Sequence, residues 1–416
     1  MKHPFFFQLS VLLLAASHSL VEAAASQDSV LWQSARFEIS NPLNVARDDL
    51  LCVPEKQLPF SFLEQSAITV QVNGHSVESQ VMPCFYDNNQ LGLAVNTPMS
   101  ARQTLPMTVY WSTTAKLESA KNQLTNAELQ VRVGGKFKEG KLIDGTYLPV
   151  SEYVLPKQHE VGNKLFKYEG LGWESEKIAF RYYFDHRGAI DIFAKQQNGL
   201  VIAEVGIDGD DYHLLDDWGM DILKVGPSLG LGGLGVLVRE QLVGLNDFSD
   251  LNAKIKNSEL VSSIQLSYKN WSTGAQVIDL SFNAQIAANS MLTKVTATPS
   301  KAIEHLTTGI VKHGVETIKH QGDKALWSYL ATWGEQSLTD DPLGMAIIFK
   351  SADLSSLKDD EYNELVVFNQ TNKPKHYLFT ANWGRSPSGA KSKKDFIHFL
   401  DKELAKLNQP IVLKQQ

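Results

Sequence analysis

One short segment of the sequence combines residue types that transfer protons with residue types that contact sugars. His213 lies close to Asp217, Trp218 and Asp221 in the stretch of the chain richest in carboxylates. If the residues after Trp218 form a strand, Asp221 shares the buried face with Leu223 and needs a charged or hydrogen-bonding partner. Such forced partnerships shift pKa values and are typical of proton-transfer residues. We therefore expect His213 to act as a general acid or base that Asp217 or Asp221 orients, against the alternative of a solvated acidic loop.

A second set of polar residues precedes this segment and offers further catalytic candidates. Tyr183 can serve as an acid or base beside His213, and Arg181 can hold a substrate carboxylate. Glu174 is a candidate partner of His213 in mutarotation, or of Asp217 in the two-carboxylate chemistry of glycoside hydrolysis. Abstraction of the proton next to a uronate carboxylate, as in lyases and epimerases, would use a base, a cation and an acid together. The residues leave these reactions open.

Tryptophan and cationic side chains recur along the chain in a pattern suited to an acidic sugar. A tryptophan ring offers an apolar face for stacking, and arginine or lysine can pair with a carboxylate. The expected substrate-binding residues are Arg181, Lys224, Arg385, Trp173, Trp218, Trp333 and Trp383. The same tryptophans without a proton-transfer group would make a non-catalytic glycan-binding protein, so two classes of function stay open.

The remaining motifs point away from cofactors and metals. Residues 230–235 satisfy the G-x-G-x-x-G string, but they lie in a strand-rich part of the chain without the strand–helix context of a dinucleotide site. We expect close backbone packing there, or a loop that lines the substrate. Two cysteines cannot build a four-ligand zinc site without several histidines, and the acidic run at 208–211 lacks the spacing of a calcium loop. We expect neither a cofactor nor a metal.

Composition and the N-terminal segment indicate an exported protein that does not bind nucleic acid. The 416 residues include 39 Lys or Arg and 46 Asp or Glu, a net charge of −7, so no cationic excess is available for phosphates. Residues 1–25 have the cationic, apolar and small-residue order of a secretory signal, and we expect a periplasmic or secreted protein. No later segment approaches the roughly 18 apolar residues of a membrane span. Export favours a disulfide between Cys52 and Cys84, with two separate buried thiols as the alternative.

Strand patterns dominate the rest of the chain. Residues 68–72 alternate between apolar and polar types and lead directly into Asn73-Gly74, a strong hairpin signal. Many such strands with few helices predict a mainly β protein. We expect an N-terminal β module over 26–115 and a large antiparallel β-sandwich over 116–416.

Three shorter regions complete the predicted organisation. Residues 115–126 have the composition of a linker or one short helix, and 300–325 can be read as strand or helix. One C-terminal helix is predicted by apolar residues at three- to four-residue spacing, with Ser392 as its cap and Pro410 as its end. These apolar residues are Phe396, Phe399, Leu400, Leu404 and Leu407.

The stretches around the candidate residues resemble a known bacterial family. The matching stretches are 168–175, 181–183, 189–193, 212–213, 217–226 and 382–384. In these the chain is similar to domain-of-unknown-function family 4861, and the resemblance covers most of the mature chain. It implies a galactose-mutarotase-like supersandwich fold. It also implies, by association with bacteria that degrade pectin and other uronic-acid polysaccharides, an oligosaccharide or acidic sugar as substrate.

Overall fold

The structure is a computed structural model and describes residues 31–84, 90–116, 122–156, 159–160, 162–207, 210–323 and 326–416. These residues form thirty strands, one α-helix and three short 3₁₀ helices. The expected export signal lies outside the described residues, and so does the middle of the expected linker, 117–121.

The strands are numbered in chain order. Strands β1 to β10 are Gln33–Ser40, Leu51–Pro54, Ala67–Val72, His75–Val77, Ser79–Pro83, Leu91–Val95, Thr104–Ser112, Thr125–Val133, Lys136–Lys138 and Lys141–Ile143. Strands β11 to β20 are Thr146–Pro149, Glu152–Val154, Phe166–Ser175, Ile178–Tyr183, Ile190–Lys195, Gly219–Asp221, Leu231–Val238, Gln241–Gly244, Asp250–Lys256 and Val261–Ser272. Strands β21 to β30 are Val277–Ala287, Leu292–Pro299, Leu306–Val311, Glu316–His320, Trp327–Glu335, Pro342–Lys350, Leu354–Asp359, Asn363–Phe368, Lys375–Trp383 and Val412–Gln415. Helix α1 is Lys393–Asn408, and the 3₁₀ helices are Glu55–Gln57, Phe62–Glu64 and Ser351–Asp353.

Three sheets build the large antiparallel β-sandwich, which confirms the predicted fold class. The first has nine strands in the order β12-β19-β20-β21-β22-β29-β26-β25-β24. The second has six strands in the order β11-β8-β13-β14-β15-β16, and the third has five in the order β18-β17-β23-β28-β27.

The main core lies between the nine-stranded sheet and the two smaller sheets. Strand alternation sends Ile264 of β20 and Phe282 of β21 to the same inner face, where they meet Phe180 of β14 and Leu234 of β17. All four side chains are fully buried. The opposite face of each sheet therefore points away from this core, which decides where the polar residues lie.

A separate β module precedes the sandwich. It contains a five-stranded sheet, β30-β1-β7-β3-β4, and a three-stranded sheet, β2-β6-β5. The predicted hairpin joins β3 to β4, and its two turn residues, Asn73 and Gly74, both have positive φ (50° and 79°), as a type I′ turn requires. A disulfide joins Cys52 on β2 to Cys84 just after β5, with Cα atoms 5.6 Å apart.

The C-terminal strand departs from the expected domain limits. We expected all of 116–416 in the sandwich, but β30 pairs with β1 and adds an edge strand to the N-terminal module. The physical reason is apolar packing, because Leu413 on β30 lies against the core of that module. The chain thus begins and ends its described strands in the same sheet.

The predicted C-terminal helix is present as α1, and the open region 300–325 contains strands. The Ser392 side chain accepts a hydrogen bond from the Asp395 backbone N–H (3.2 Å), which makes it the N-cap. Phe396 stacks on Trp333 of the nine-stranded sheet at 5.4 Å between ring centroids. Residues 300–325 include β23 and β24.

Glycines in the run 230–235 allow close packing, in agreement with the rejection of a dinucleotide loop. The run passes from a turn into β17 inside the core. Gly232 has a φ of +86°, and a Cβ atom there would lie 2.4 Å from the Phe379 ring. A larger residue would therefore need both a strained backbone and a displaced ring.

Candidate functional site

The outer face of the six-stranded sheet carries charged side chains that are buried. Strand β14 directs Phe180 and Tyr182 into the sandwich core, so the alternating Arg181 and Tyr183 lie on the opposite face. Phe193 of β15 lies on this outer face and packs against the connection that leads to β16. This connection covers the face and excludes water from most of its polar groups.

Arg181 is the centre of a cluster of five side chains, which we name the Arg181 cluster: Arg181, Tyr183, Asp191, Tyr212 and Asp221. Its Nη2 donates to Asp221 Oδ2 at 2.6 Å and also contacts Asp191 Oδ2 and the Tyr183 hydroxyl. Its Nη1 donates to the Tyr212 hydroxyl at 2.9 Å. Asp191 lies directly opposite Arg181 in the strand register, which explains their contact.

The burial of Arg181 corrects one expectation about substrate binding. Only 1% of the Arg181 side chain is exposed, and two carboxyl groups already occupy its guanidinium. A substrate carboxylate cannot reach it in this arrangement, because both groups would have to be displaced from a buried site. Arg181 is therefore a positioning residue that holds Asp191 and Asp221 together.

The two carboxyl groups of the cluster share one cation. Burial raises the pKa of Asp221 well above its usual range, and the nearby Asp191 carboxylate raises it further through charge repulsion and a hydrogen bond. Arg181 acts in the opposite direction but does not cancel these effects. Asp221 therefore keeps a proton at pH values where an exposed aspartic acid has lost it. A carboxyl group in this state can donate a proton.

His213 connects this buried proton to the surface. Its Nε2 lies 3.4 Å from Asp221 Oδ2, and its Nδ1 lies 3.4 Å from Asp211 Oδ1. Both distances are slightly longer than a normal hydrogen bond. The His213 side chain is 52% exposed, whereas Asp221 is 1% exposed, so the imidazole is the member that a substrate can touch. The Tyr212 ring packs against the imidazole at 4.5 Å between centroids.

The structure places Asp221, and not Asp217, next to the His213 imidazole. Asp217 is exposed, and its backbone N–H donates to the carboxylate of Asp216. Trp218 is half-buried and packs against Phe193 with ring centroids 6.2 Å apart. Asp221 itself belongs to β16, the strand that follows the acidic loop.

Tyr183 lies in the cluster, but its environment favours a donor over a base. Its hydroxyl donates to Asp191 Oδ2 at 2.8 Å. Burial raises the pKa of Tyr183, and the Asp191 carboxylate raises it further, so the hydroxyl stays protonated at physiological pH. Tyr183 therefore fixes the position of Asp191, and His213 is left as the exposed side chain in contact with this cluster.

Glu174 lies on the same sheet face but belongs to a different, buried ion pair. Its carboxylate lies 2.5 Å from Lys195 Nζ, and both side chains are fully buried. The Glu174 carboxylate also accepts from the backbone N–H groups of Val201 and Ile202, at 2.9 and 3.1 Å. The contacts with Val201 and Ile202 fix the connection after β15, and the contact with Lys195 joins β13 to β15. These contacts favour a structural anchor over the expected role of Glu174 as a catalytic carboxylate.

Two of the four expected tryptophan platforms are core residues. Trp173 is fully buried and donates from its Nε1 to Thr293 Oγ1 at 2.9 Å. Trp383 is also buried in the main core, and Trp333 is covered on one face by Phe396. Alternation along their strands places Trp173 and Trp383 in the core, so these two rings are not placed to stack on a sugar. Trp218 and Trp333 are partly exposed.

The two remaining cationic candidates, Arg385 and Lys224, contact residues outside the Arg181 cluster. Arg385 Nε pairs with Asp341 at 2.7 Å, and its side chain is 39% exposed. Lys224 is exposed and follows Asp221 by three residues, and its backbone carbonyl is 2.8 Å from His313 Nε2. Lys224 is the expected cation that remains accessible near the end of β16.

Sequence reasoning missed the role of Asp191 and Tyr212. Asp191 lies in β15 between Ile190 and Ile192, both of which are buried in the main core. A single carboxylate that alternates with core residues must face the opposite side of the sheet and find a cation there. The sequence therefore indicated that Asp191 needs a cation, but only the strand register identifies Arg181 as that cation.

Across the described ranges, no group of three or more His, Cys, Asp or Glu side chains has the arrangement of a metal site. Within the same residues, no helix is long and apolar enough to cross a membrane.

The protein is a β-sandwich protein with a buried ionic cluster that ends at an accessible histidine. The chain belongs to the family described as domain of unknown function DUF4861, whose family profile matches residues 39–413, and this confirms the resemblance noted from the sequence. No curated protein matches the chain significantly.

Two solved structures from Enterococcus faecalis are similar to the chain at low identity. One is described as a protein in the glycosyl hydrolase family 38, with 10% identity and a TM-score of 0.45 over 92% of this chain and 47% of that chain. The other is an α-mannosidase from strain V583, with 9% identity and a TM-score of 0.44 over 92% of this chain and 46% of that chain. The chain spans about half the length of these structures, and so distant a similarity transfers no activity.

Proposed function

We propose that this protein is a carbohydrate-active enzyme in which His213 and Asp221 transfer protons to and from the substrate. The observation that carries the proposal is the contact between a half-exposed imidazole and a buried carboxyl group that retains its proton. General acid–base catalysis needs a group that touches the substrate and a second group that restores its protonation state. His213 and Asp221 meet these two requirements.

The contacts suggest how the proton moves. In the proposed reaction Asp221 donates its proton towards Nε2 of His213, and the proton of the neutral imidazole then lies on Nδ1. When Nδ1 gives that proton to a substrate oxygen, Nε2 takes the proton of Asp221, and the imidazole ends neutral with a free lone pair on Nδ1. That lone pair then accepts a proton from the substrate, and the reverse shift reloads Asp221. Asp211, which faces Nδ1, is 62% exposed and is readily displaced by a substrate.

The ionic cluster supports this role because Arg181 limits the negative charge that remains when Asp221 loses its proton. Arg181 stays cationic and offsets the Asp191 carboxylate, so Asp221 can lose its proton to His213 without leaving two uncompensated negative charges. Tyr183 and Tyr212 hold the two ends of the cluster through their hydroxyl groups. None of these side chains needs to contact the substrate.

We propose uronic-acid-containing, pectin-like oligosaccharides as the substrate class, with lyase, epimerase or mutarotase chemistry. One group that both donates and accepts protons suits each of these reactions. Lys224 is an accessible cation for the sugar carboxylate, and Trp218 offers a partly exposed ring. Glycoside hydrolysis is less well supported, because Glu174 is committed to Lys195.

We also propose that the protein acts outside the cytoplasm, in the periplasm or after secretion. The disulfide between Cys52 and Cys84 supports an oxidising compartment. This proposal agrees with the expected signal at 1–25.

The test is a chromatographic screen of wild type against saturated and unsaturated uronate oligosaccharides. His213→Ala should lower turnover by about 10²–10⁴ while the melting temperature changes little, because the side chain is half-exposed. His75→Ala, which removes an exposed histidine from the N-terminal module, should turn over at the wild-type rate. Binding without turnover by the wild type would refute the enzyme proposal and favour a glycan-binding protein.

A further inference from the structure

The outer face of the nine-stranded sheet carries a row of polar side chains that the proposed reaction does not use. Alternation sends Ile264 and Phe282 into the core, so Gln265, Asn283 and Gln285 lie on the opposite face. The Arg181 cluster lies on the outer face of the six-stranded sheet, across the core. The two polar faces therefore point to opposite sides of the sandwich.

Strand register aligns these side chains into two neighbouring rows. Gln265 of β20 lies directly opposite Asn283 of β21, and Lys254 of β19 lies on the other side of Gln265. In the second row, Lys256 is opposite Ser263, which is opposite Gln285. Directly opposite residues in antiparallel strands present their side chains on one face. The register thus builds a continuous polar floor across three strands.

The N-terminal module closes one side of this floor and turns it into a groove. Gln80, Met82 and Pro83 of β5 face the polar rows across a cavity of about 290 Å³. The backbone N–H of Leu260 donates to Gln80 Oε1 at 3.0 Å, which ties this wall to the sandwich. The Cys52–Cys84 disulfide fixes the end of β5 directly beyond the wall. We name the site the amide groove.

Three amide side chains of the groove floor have no hydrogen-bond partner among the described residues. In the part of the chain that the structure describes, the side chains of Gln265, Asn283 and Gln285 make no hydrogen bond to another residue, and no carboxylate pairs with Lys256. Lys254 pairs with Glu152 at the edge, at 3.0 Å. The groove therefore offers several donors and acceptors and one cation to a ligand.

We propose that the amide groove binds an acidic oligosaccharide at a site separate from the His213 site. A carboxamide offers a donor and an acceptor side by side, which matches pairs of neighbouring sugar hydroxyls. Lys256 supplies a cation for a uronate carboxylate on a chain with a net charge of −7. The lining residues described at this cavity include no aromatic ring, and nucleobases are held mainly by such rings.

This inference shares its ligand class with the proposed function but requires no catalysis. A groove on the far side of the sandwich would hold a second stretch of the same polymer and would raise the local concentration of substrate. Its failure and the failure of the proposed function can be told apart, because the first concerns binding and the second concerns turnover.

The test is calorimetric titration with tetragalacturonate, with the neutral cellotetraose and a tetranucleotide as comparison ligands. Wild type should bind tetragalacturonate, and Lys256→Ala or Gln285→Ala should weaken that binding about tenfold, as expected for the loss of one or two hydrogen bonds to a charged or polar ligand. Lys319→Ala removes the same charge from an exposed position on β24, at the other edge of the sheet, and should bind like wild type.

Several results would overturn the inference. These are no binding by the wild type, equal binding by the groove variants, or weaker binding only in His213→Ala. Preference for the tetranucleotide or for cellotetraose would overturn the assignment of the ligand as an acidic sugar.

Discussion

Replacement of Glu174 by glutamine tests whether this residue is a structural anchor. The change leaves the shape of the side chain but removes the negative charge that faces Lys195, and both side chains are fully buried. Breaking a buried ion pair costs roughly 3–5 kcal/mol, because the remaining charge has no partner. Lys195 keeps its bonds to the carbonyls of Ser175 (2.7 Å) and Gly199 (2.6 Å), so we expect a value near the lower limit.

The assay is urea denaturation of wild type, Glu174→Gln and a matched control. Glu152→Gln removes one carboxylate from an exposed pair with Lys254, in which both side chains are 48% exposed. Such an exposed pair contributes little to stability, so the control should remain close to wild type. If Glu174→Gln costs less than about 1 kcal/mol and instead abolishes turnover in a stable protein, the anchor interpretation is refuted and Glu174 returns as a catalytic candidate.

Two further predictions concern the disulfide and the buried carboxyl group. Thiol titration of the unfolded, unreduced protein should find no free thiol, because Cys52 and Cys84, 32 residues apart, form a disulfide. By the chain-entropy model this disulfide stabilises the folded state by about 3–4 kcal/mol. Two free thiols would contradict the structure. In the native state Asp221 keeps its proton at pH values above its usual pKa of 3.8. The contribution of this group to stability is therefore complete below pH 3.8 and is lost as the pH rises towards the raised pKa. The free energy of unfolding of wild type relative to Asp221→Asn should therefore fall between pH 4 and neutral pH in denaturant titrations, and a difference that does not change with pH would contradict the raised pKa.

Much of the fold could be predicted from local patterns. The alternation at Ile68 to Val72, the Asn73-Gly74 turn and the spacing around Phe396 each specify an element through short-range physics, and each element is present. The pairing of β30 with β1 could not be predicted, because it joins strands almost 400 residues apart and no local pattern sets such a contact. The short apolar segments in 300–325 fit the periodicity of a helix as well as that of a strand, and only their pairing with neighbouring strands distinguishes the two.

The sequence could predict several residues of the candidate site but not their contacts or their burial. The dense cluster of titratable residues drew attention to His213, Asp221 and Arg181, and the structure brings these three together. Burial was not predictable at single residues, because a strand face is covered or exposed by what packs on it. Trp173 and Glu174 illustrate this, since neighbouring positions on one strand face the main core and a buried ion pair.

The central claim is that Asp221 supplies a proton to His213 during turnover. The most direct test is the turnover rate of Asp221→Asn on the uronate oligosaccharide that the wild type processes, because asparagine keeps a neutral side chain in the cluster but cannot transfer a proton. The account predicts a rate lower by about 10²–10⁴ with a native-like melting curve at neutral pH. Wild-type turnover by a folded Asp221→Asn would contradict it.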